Sequence, residues 1–221
     1  GDDDYDPHYS LPCAKVIGAA RGRAKAFRPE SIVGVSAMSF GSLGATAVEA
    51  LNRGCALASC LHNTGEGGIS PHHMHGGGLI WQLGTGYYGA RAADGRLDYE
   101  RLVATAAEKQ VKAIEIKLSQ GAKPGLGGVL PGRKVTAQIA KIRGIPVGQD
   151  CLSPSAHREF NSVDSLLDVV ERIAESTGLP VGIKSAIGDM SFWVDLADAL
   201  EKDPERAVDY IQIDGGEGGT G

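Results

Sequence analysis

The stretch A-I-E-I-K-L-S-Q-G-A-K-P-G-L-G-G-V-L-P-G-R-K, residues 113–134, decides the fold. It opens with an apolar run at 113–118 that carries Lys117 near its end, and a glycine-rich loop with a second lysine, Lys123, follows. A parallel strand that is buried on both faces reads as a near-continuous apolar run. A charge at the carboxyl end of such a strand lies where α/β folds keep their sites. The stretch therefore predicts a strand of a parallel sheet with a ligand-binding loop at its end.

Strand-like and helix-like segments alternate on both sides of this stretch, which is typical of parallel βαβ units. Polar residues and glycines follow nearly every strand, as they do in a (β/α)8 TIM barrel. About six βα units are present, so the predicted α/β barrel is incomplete and the chain is expected to be a fragment or a split subunit. Residues 1–16 form an acidic, extended lead-in, and residues 17–221 form the N-terminal three-quarters of the barrel. The predicted strands are 31–38, a strand ending in 61–68, 77–88 over the barrel mouth, 113–118, 147–152, 180–187 and 210–213, and the predicted helices are 45–60, 99–110, 134–144, 162–177 and 191–202.

Composition excludes several classes of protein. The net charge is −5 and aromatic residues make up 5% of the chain, so neither a basic surface for duplex binding nor an aromatic stacking platform is expected. No apolar run reaches the roughly 18 residues of a membrane helix, and no secretory signal is recognisable. We therefore expect a cytoplasmic protein that binds neither nucleic acid nor membranes. The basic group at Arg21, Arg23, Lys25 and Arg28 reads as a solvated face, with a phosphate contact as the alternative.

Cysteine and histidine spacing does not predict a metal site. The four cysteines form no C-x-x-C pair and read as reduced thiols, so an iron–sulfur cluster is expected only from sequence beyond residue 221 or from another subunit. His72, His73 and His75 lack an evident fourth ligand. Trp81, Tyr87 and Tyr88 are interpreted as packing residues.

The strongest candidate for a binding site is the group formed by Lys117, Gln120 and Lys123. A cation near N1 and C2=O of a flavin stabilises the anionic reduced ring, and a second cation can hold a carboxylate. The alternative is a pair of surface lysines beside a turn. The blocks N-T-G-E-G-G at 63–68 and D-G-G-E-G-G at 214–219 are of the same kind, since glycine-rich turns after strands present backbone N–H groups to phosphate. A solvated acid at Glu66 and a flexible tail at 214–219 are the corresponding alternatives.

Together these pieces resemble one family, the FMN-binding synthase domain of glutamate synthase and its stand-alone bacterial relatives. The likeness runs from about residue 17 to the end of the chain. Its motifs occur in the family's order, which is far more specific than any one glycine motif. The matching stretches are 36–43, 63–68, 80–89, 114–125, 130–135, 181–184 and 214–221.

The resemblance implies a (β/α)8 barrel that binds FMN, in which ammonia condenses with 2-oxoglutarate or a relative and reduced FMN delivers hydride to the imine. It implies partners that donate electrons and supply ammonia, and the open barrel edges favour an oligomer. By motif position, the catalytic residues are Lys123, Glu66 and Gln120, and Arg143 and Ser119 bind the substrate. The implied cofactor-binding residues are Ala37, Met38, Ser39, Asn63, Lys117, Lys184, Asp214, Gly215, Gly216 and Gly219.

Two positions depart from the family. Leu126 stands where family members carry an acid or a histidine, and Val129 stands where they carry glutamine. Losing a donor to a substrate oxygen costs about 1–3 kcal/mol, so the departures bear on 2-oxoglutarate more than on FMN. The second hypothesis is therefore a non-catalytic flavin-binding or assembly subunit that needs a partner chain to complete the barrel. A third, a phosphosugar-binding barrel without flavin, fits the glycines but not the two strand-end lysines.

Overall fold

The computed structural model describes residues 13–122 and 127–219. In chain order the strands are β1 (Gly34–Val35), β2 (Leu61–Asn63), β3 (Gly78–Leu83), β4 (Val111–Lys117), β5 (Val129–Leu130), β6 (Cys151–Leu152), β7 (Val181–Ala186) and β8 (Ile211–Asp214). The main sheet is parallel and curled, and the strand order β1-β2-β3-β4-β7-β8 makes it an incomplete (β/α)8 barrel, which confirms the predicted fold class. The short strands β5 and β6 form a separate antiparallel pair.

The described residues contain five α-helices, and three helix ends lie at the capping residues that the sequence predicts. Ser162 caps its helix by accepting a hydrogen bond from the backbone N–H of Ser165. Gly144 and Gly178 end their helices with left-handed φ values of 66° and 73°. The helices are α1 (Ala45–Leu57), α2 (Tyr99–Ala106), α3 (Ala137–Arg143), α4 (Val163–Thr177) and α5 (Met190–Lys202).

Two of the predicted strands exchange roles. The segment 77–88, expected over the barrel mouth, supplies β3, which pairs with β2 and β4 inside the sheet. Its alternate residues Leu79, Trp81 and Leu83 are buried, and Trp81 and Leu83 belong to the core that the sheet shares with the helices, which identifies it as a core strand. The segment 147–152, expected as a barrel strand, contributes only the two residues of β6, because it carries Gln149 and Asp150 instead of an apolar run. The total of six barrel strands is unchanged.

The hydrophobic core lies between the outer face of the sheet and the helices. Ile114, Ile116 and Ile183 on the sheet pack against Leu167 and Val170 of α4. Trp81, Tyr87 and Tyr88 are all buried, as expected of residues that pack in the core. The opposite, concave face of the sheet carries polar side chains, and the site lies there.

Arg23 connects the amino-terminal segment to α4 and to the segment before β8. The Arg23 side chain is 6% exposed and donates hydrogen bonds to Glu171 at 2.8 Å and to Asp209 at 3.0 Å. The solvated-face interpretation is therefore wrong for Arg23, because a carboxylate from α4 and one from the segment just before β8 contact it inside the protein. The hydrogen bond to Glu171 is the largest cause that raises the pKa of Arg23, and together with Asp209 it outweighs burial, which lowers this pKa.

The four cysteines are free thiols. No helix within residues 13–122 and 127–219 has the length and hydropathy that crossing a bilayer requires.

Candidate active site

Lys117, Glu66 and Gln120 meet where the strands end. Lys117 is the last residue of β4, and its ammonium lies 3.2 Å from Glu66 Oε1 and donates to Gln120 Oε1 at 2.8 Å. The side chains of Lys117 and Glu66 are 13% and 20% exposed, so the ion pair is largely shielded from water. Gly84 makes room for the carboxylate: a Cβ at this position would lie 2.9 Å from the Cβ of Glu66. Gly128 borders Glu66 in the same way.

A second ion pair lies one strand away. Lys184 of β7 is the register partner of Lys117, and its ammonium is 3.3 Å from Asp214 Oδ1 at the end of β8. The other oxygen of Asp214 accepts a hydrogen bond from the backbone N–H of Gly121 at 2.9 Å. Asp214 therefore joins the loop after β4 to the end of β8.

A cavity of 380 Å³ occupies the concave face of the sheet. Four of the residues predicted to bind the cofactor line it, and they come from four different segments of the chain. These residues are Ala37, Asn63, Lys184 and Asp214.

Beside this cavity lies a buried amide–carboxylate network that the sequence analysis missed. Glu115 Oε1 accepts hydrogen bonds from Asn63 Nδ2 at 2.8 Å and from Gln82 Nε2 at 2.7 Å. Burial raises the pKa of Glu115 despite these two hydrogen bonds. The alternation of strand side chains was the available signal, because Glu115 precedes Lys117 by two residues and therefore points to the same face.

A smaller cavity of 60 Å³ is lined by Ser39, Glu66, Gln120, Val129 and Arg143, among others. Arg143 ends α3 and is 6% exposed, and the described residues place no carboxylate in ion-pair range of it. Its Nη2 donates to the carbonyl of Phe40 at 3.3 Å, and its guanidinium lies 5.0 Å from the centre of the Tyr88 ring.

Two buried donors near this cavity lack partners among the described residues, Arg143 Nε and Gln120 Nε2. A buried charge without a counter-charge is costly, and so is an unpaired donor. The arrangement is therefore suited to an anionic ligand that is rich in acceptor oxygens.

The remaining predicted site residues divide between backbone contacts and a third cavity. The backbone of Met38 and Ser39 passes so close to Gly65, φ +67°, that a Cβ there would lie 2.5 Å from the nitrogen of Ser39. A Cβ at Gly219, φ +97°, would lie 2.7 Å from the amide carbon of the Gln120 side chain. A Cβ at Gly121 would collide with the carbonyl oxygen of Gly215.

Ser119, predicted to bind the substrate, lies apart from Glu66 and Arg143. It accepts a hydrogen bond from the N–H of Ala186 at 2.9 Å and lies 3.1 Å from Ser185 Oγ. It lines a cavity of 290 Å³ together with Gly216 and Asp214. Lys123 and Leu126 lie outside the described residues.

A further cavity, of 670 Å³, lies at the other end of the sheet and is larger than the three described above. Leu61, Gly78 and Lys112, at or near the amino ends of their strands, line it. Barrel enzymes keep their chemistry at the carboxyl ends, so size alone does not identify this cavity as the site. Within the described residues, no group of three or more His, Cys, Asp or Glu side chains is arranged to hold a metal ion.

The fold and the site thus define a barrel with a polar, ligand-binding concave face at the carboxyl ends of its strands. The family model described as "Conserved region in glutamate synthase" matches residues 14–221. The chain belongs to the glutamate synthase family.

Curated relatives extend beyond the matched region. The chain is 38% identical to the glutamate synthase large subunit-like protein YerD of Bacillus subtilis over 98% of its own length and 41% of that protein. It is 38% identical to the archaeal-type glutamate synthase [NADPH] of Thermotoga maritima over 84% of its length and 34% of that protein. For the archaeal glutamate synthase [NADPH] of Archaeoglobus fulgidus the identity is 36%, over 87% of the chain and 35% of the relative. The chain spans less than half the length of these relatives.

Proposed function

We propose that this chain is the FMN-binding part of a glutamate synthase-type oxidoreductase that reductively aminates a 2-oxo acid, 2-oxoglutarate or a relative, with ammonia. One observation carries the proposal. Four of the residues expected to bind the cofactor line the 380 Å³ cavity, whereas Glu66, Gln120 and Arg143, expected to act on the oxo acid, line the separate 60 Å³ cavity together with Ser39. Lys117 joins the two, because it contacts Glu66 and Gln120 and is the register partner of Lys184.

The concave face fits a flavin. The 380 Å³ volume of the cavity on this face falls within the roughly 300–1,000 Å³ of small-molecule sites. The cavity wall combines apolar residues with a few polar groups. As the resemblance implies, Lys117 would lie by the flavin ring, Lys184 and the 214–219 loop would lie on the ring or phosphate side, and Asn63 would also contact the cofactor. FMN, when bound, supplies hydride transfer.

The smaller cavity fits the carboxylate of an oxo acid. Arg143 offers a buried guanidinium whose planar fork matches a carboxylate. Glu66 and Lys117 offer an acid and a base in contact, which can move protons while ammonia condenses with the carbonyl and water leaves. Lys123 is proposed as a second cation for the substrate.

The unpaired donors of Arg143 and Gln120 favour this enzyme over a non-catalytic flavin-binding or assembly subunit. A subunit with no substrate gains nothing from a buried guanidinium that lacks a carboxylate. Since the chain spans less than half of its relatives, we propose that the electron donor, with NADPH as the source, and the ammonia supply lie in other domains or subunits of a cytoplasmic oligomer.

The test begins with the absorption spectrum of the purified full-length protein. Oxidised flavin gives bands near about 370 and 450 nm, and their absence from protein purified in the presence of FMN would overturn the cofactor assignment. Steady-state kinetics with free ammonia then test the substrate. We expect Lys123→Ala to raise the oxo-acid KM or abolish turnover while leaving the flavin spectrum intact.

Val129→Gln is the converse variant. If the apolar loop reflects a changed substrate, restoring the amide should improve the use of 2-oxoglutarate relative to other 2-oxo acids.

Loss of flavin from Lys123→Ala would assign Lys123 to the cofactor instead. If Lys123→Ala changes neither KM nor turnover, the substrate half of the proposal is wrong.

A further inference from the structure

His157 bridges two segments of the site through its two ring nitrogens. Nε2 lies 2.8 Å from the backbone carbonyl oxygen of Lys117, and Nδ1 lies 2.8 Å from the hydroxyl of Tyr87. A carbonyl oxygen only accepts hydrogen bonds, so Nε2 must carry the proton. In the neutral ring Nδ1 then accepts from the Tyr87 hydroxyl. These contacts fix both the tautomer and the orientation of the imidazole.

Tyr87 is held in a strained conformation. Among the described residues, Tyr87 and Ser59 are the non-glycine residues with positive φ, and that of Tyr87 is +47°. Its side chain is 3% exposed, and its ring centre lies 5.4 Å from that of His157, which stacks on Phe160 at 4.6 Å. Strained backbone persists where its surroundings over-determine it, and such positions cluster at functional sites.

The carbonyl bound by His157 is that of Lys117, whose ammonium contacts Glu66 and Gln120. After Lys117, one more backbone hydrogen bond connects β4 to β7: the N–H of Leu118 donates to the carbonyl of Lys184 at 2.8 Å. The carbonyl of Lys117 is instead taken by a side chain from the loop before α4. The direction in which Lys117 leaves the end of β4 is therefore set by His157 and Tyr87.

We propose that Tyr87 and His157 form a positioning pair that holds Lys117 between Glu66 and Gln120. The pair touches neither substrate nor cofactor in this role, and it acts through the backbone of Lys117. The inference rests on the proposed function in one respect, namely that Lys117 serves the flavin.

Both members of the pair are neutral near pH 7. Burial lowers the pKa of His157, although the hydrogen bond to the Lys117 carbonyl and the carboxylates of Glu66 and Glu159 act in the opposite direction. Burial also raises the pKa of Tyr87 to about 12. Two groups that keep their protons at the working pH are suited to holding geometry rather than to transferring protons.

The test separates positioning from packing with two substitutions of His157 in the full-length protein. His157→Phe keeps an aromatic ring on Phe160 and removes both hydrogen bonds. His157→Gln keeps a donor for the carbonyl of Lys117 and an acceptor for the Tyr87 hydroxyl. Tyr87→Phe removes one bond, and Tyr99→Phe, at a half-buried tyrosine with Arg172 over its ring, is the control.

We expect His157→Phe and Tyr87→Phe each to weaken FMN binding about tenfold and to shift the flavin reduction potential in the same direction. Their double variant should lose no more than the larger single effect, because residues that act as a unit are not additive. His157→Gln should retain most of the affinity, and Tyr99→Phe all of it. Additive losses, equal behaviour of the Phe and Gln variants at His157, or lower thermal stability with unchanged FMN affinity and potential would each overturn the proposal.

Hydrogen exchange gives a readout that does not depend on flavin. The backbone amide of Leu118 should exchange about tenfold faster in His157→Phe than in His157→Gln. If the wild-type protein binds no FMN, the proposed function fails while this comparison still decides whether the pair holds the end of β4. Equal exchange in the two variants would overturn the positioning role itself.

Discussion

The ammonium of Lys117 lies 3.2 Å from the carboxylate of Glu66, although 51 residues separate them in the chain. Lys117 ends β4, whereas Glu66 lies in the loop after β2, and β3 separates these two strands in the sheet. Parallel strands place all their carboxyl ends at one edge, so the loops that follow them converge. The ion pair is thus a product of the topology, and it holds the ammonium of Lys117 against Glu66, which lines the smaller cavity.

Lys117→Ala should weaken FMN retention and lower the flavin's reduction potential. A cation near the ring stabilises its anionic reduced form, and removing one partner of a shielded charge pair costs about 2–5 kcal/mol in binding terms. The measurements are FMN affinity by fluorescence and the midpoint potential by redox titration. Lys112→Ala, at an exposed position on the same strand, is the control and should change neither. Full FMN content with an unchanged potential in Lys117→Ala would exclude the assignment.

Glu115→Gln should remove a pH dependence of stability. Burial raises the folded-state pKa of Glu115 above its unfolded value, so the folded state binds the proton more tightly and loses stability as pH rises through that window. The glutamine oxygen can still accept from Asn63 and Gln82 without the buried charge. We expect the variant to gain about 1 kcal/mol over wild type at pH 8 for each unit by which the pKa is raised, measured by urea unfolding. A variant that is less stable at pH 8 than at pH 5, as steeply as wild type, would contradict this account.

Sequence patterns predicted the elements whose signals are local. Ser162, Gly144 and Gly178 marked helix ends correctly because capping depends on a few adjacent residues. The roles of 77–88 and 147–152 were assigned wrongly because both are short segments that contain or adjoin glycine or proline, and neither has a local pattern that identifies a barrel strand. The two segments differ in strand pairing, because β3, which contains Trp81, pairs with β2 and β4 inside the sheet. Such pairing depends on residues that are far apart in the chain.

The site shows the same division between local and long-range information. The residues at strand ends could be predicted from their strands, and family resemblance assigned them to cofactor and substrate. Arg23 and His157 could not be identified in this way. Arg23 is buried by carboxylates more than 140 positions away, with separations of 148 and 186. His157 has no periodic or motif signal, and its proposed role rests on contacts with the carbonyl of Lys117 at the end of β4 and with the hydroxyl of Tyr87 in the loop after β3.

Arg23→Met should destabilise the fold far more than removal of a surface arginine. The substitution leaves Glu171 and Asp209, whose side chains are 13% and 1% exposed, without their main counter-charge, and breaking a buried pair costs about 3–5 kcal/mol. Arg53→Met is the matched control. Arg53 pairs with Glu49 on the exposed face of α1, where such pairs contribute less than about 1 kcal/mol. Chemical unfolding of both variants measures the difference, and equal losses would show that the Arg23 network does not hold the amino-terminal segment.

His73 should make the protein sensitive to mild acid. Burial lowers its pKa from 6.5 to about 4, so the folded state favours the neutral ring, and stability falls as pH drops from about 6.5 towards 4. The full effect is roughly 3 kcal/mol. In His73→Asn the amide oxygen can still accept from the backbone N–H of Ser70, as the ring nitrogen does at 3.0 Å. We expect the thermal midpoint of this variant to change less between pH 7 and pH 4.5 than that of wild type. A midpoint that falls as steeply in His73→Asn as in wild type would show that protonation of His73 is not the cause of the acid sensitivity.

Arg143→Met should separate function from stability. The buried guanidinium donates to a backbone carbonyl and lies against the Tyr88 ring, but the described residues give it no carboxylate. Methionine fills much of the same volume without a charge to desolvate, so the free energy of unfolding should stay within about 1 kcal/mol of wild type or rise. The oxo-acid KM should rise at least about 30-fold, because a substrate carboxylate loses a charge-assisted partner, while the flavin spectrum stays intact. Arg91→Met is the matched control, since Arg91 also lies near the Tyr88 ring, at 5.9 Å, but does not line the small cavity. An unchanged KM together with a loss of several kcal/mol in Arg143→Met would mean that Arg143 is a structural residue and that the oxo-acid carboxylate binds elsewhere.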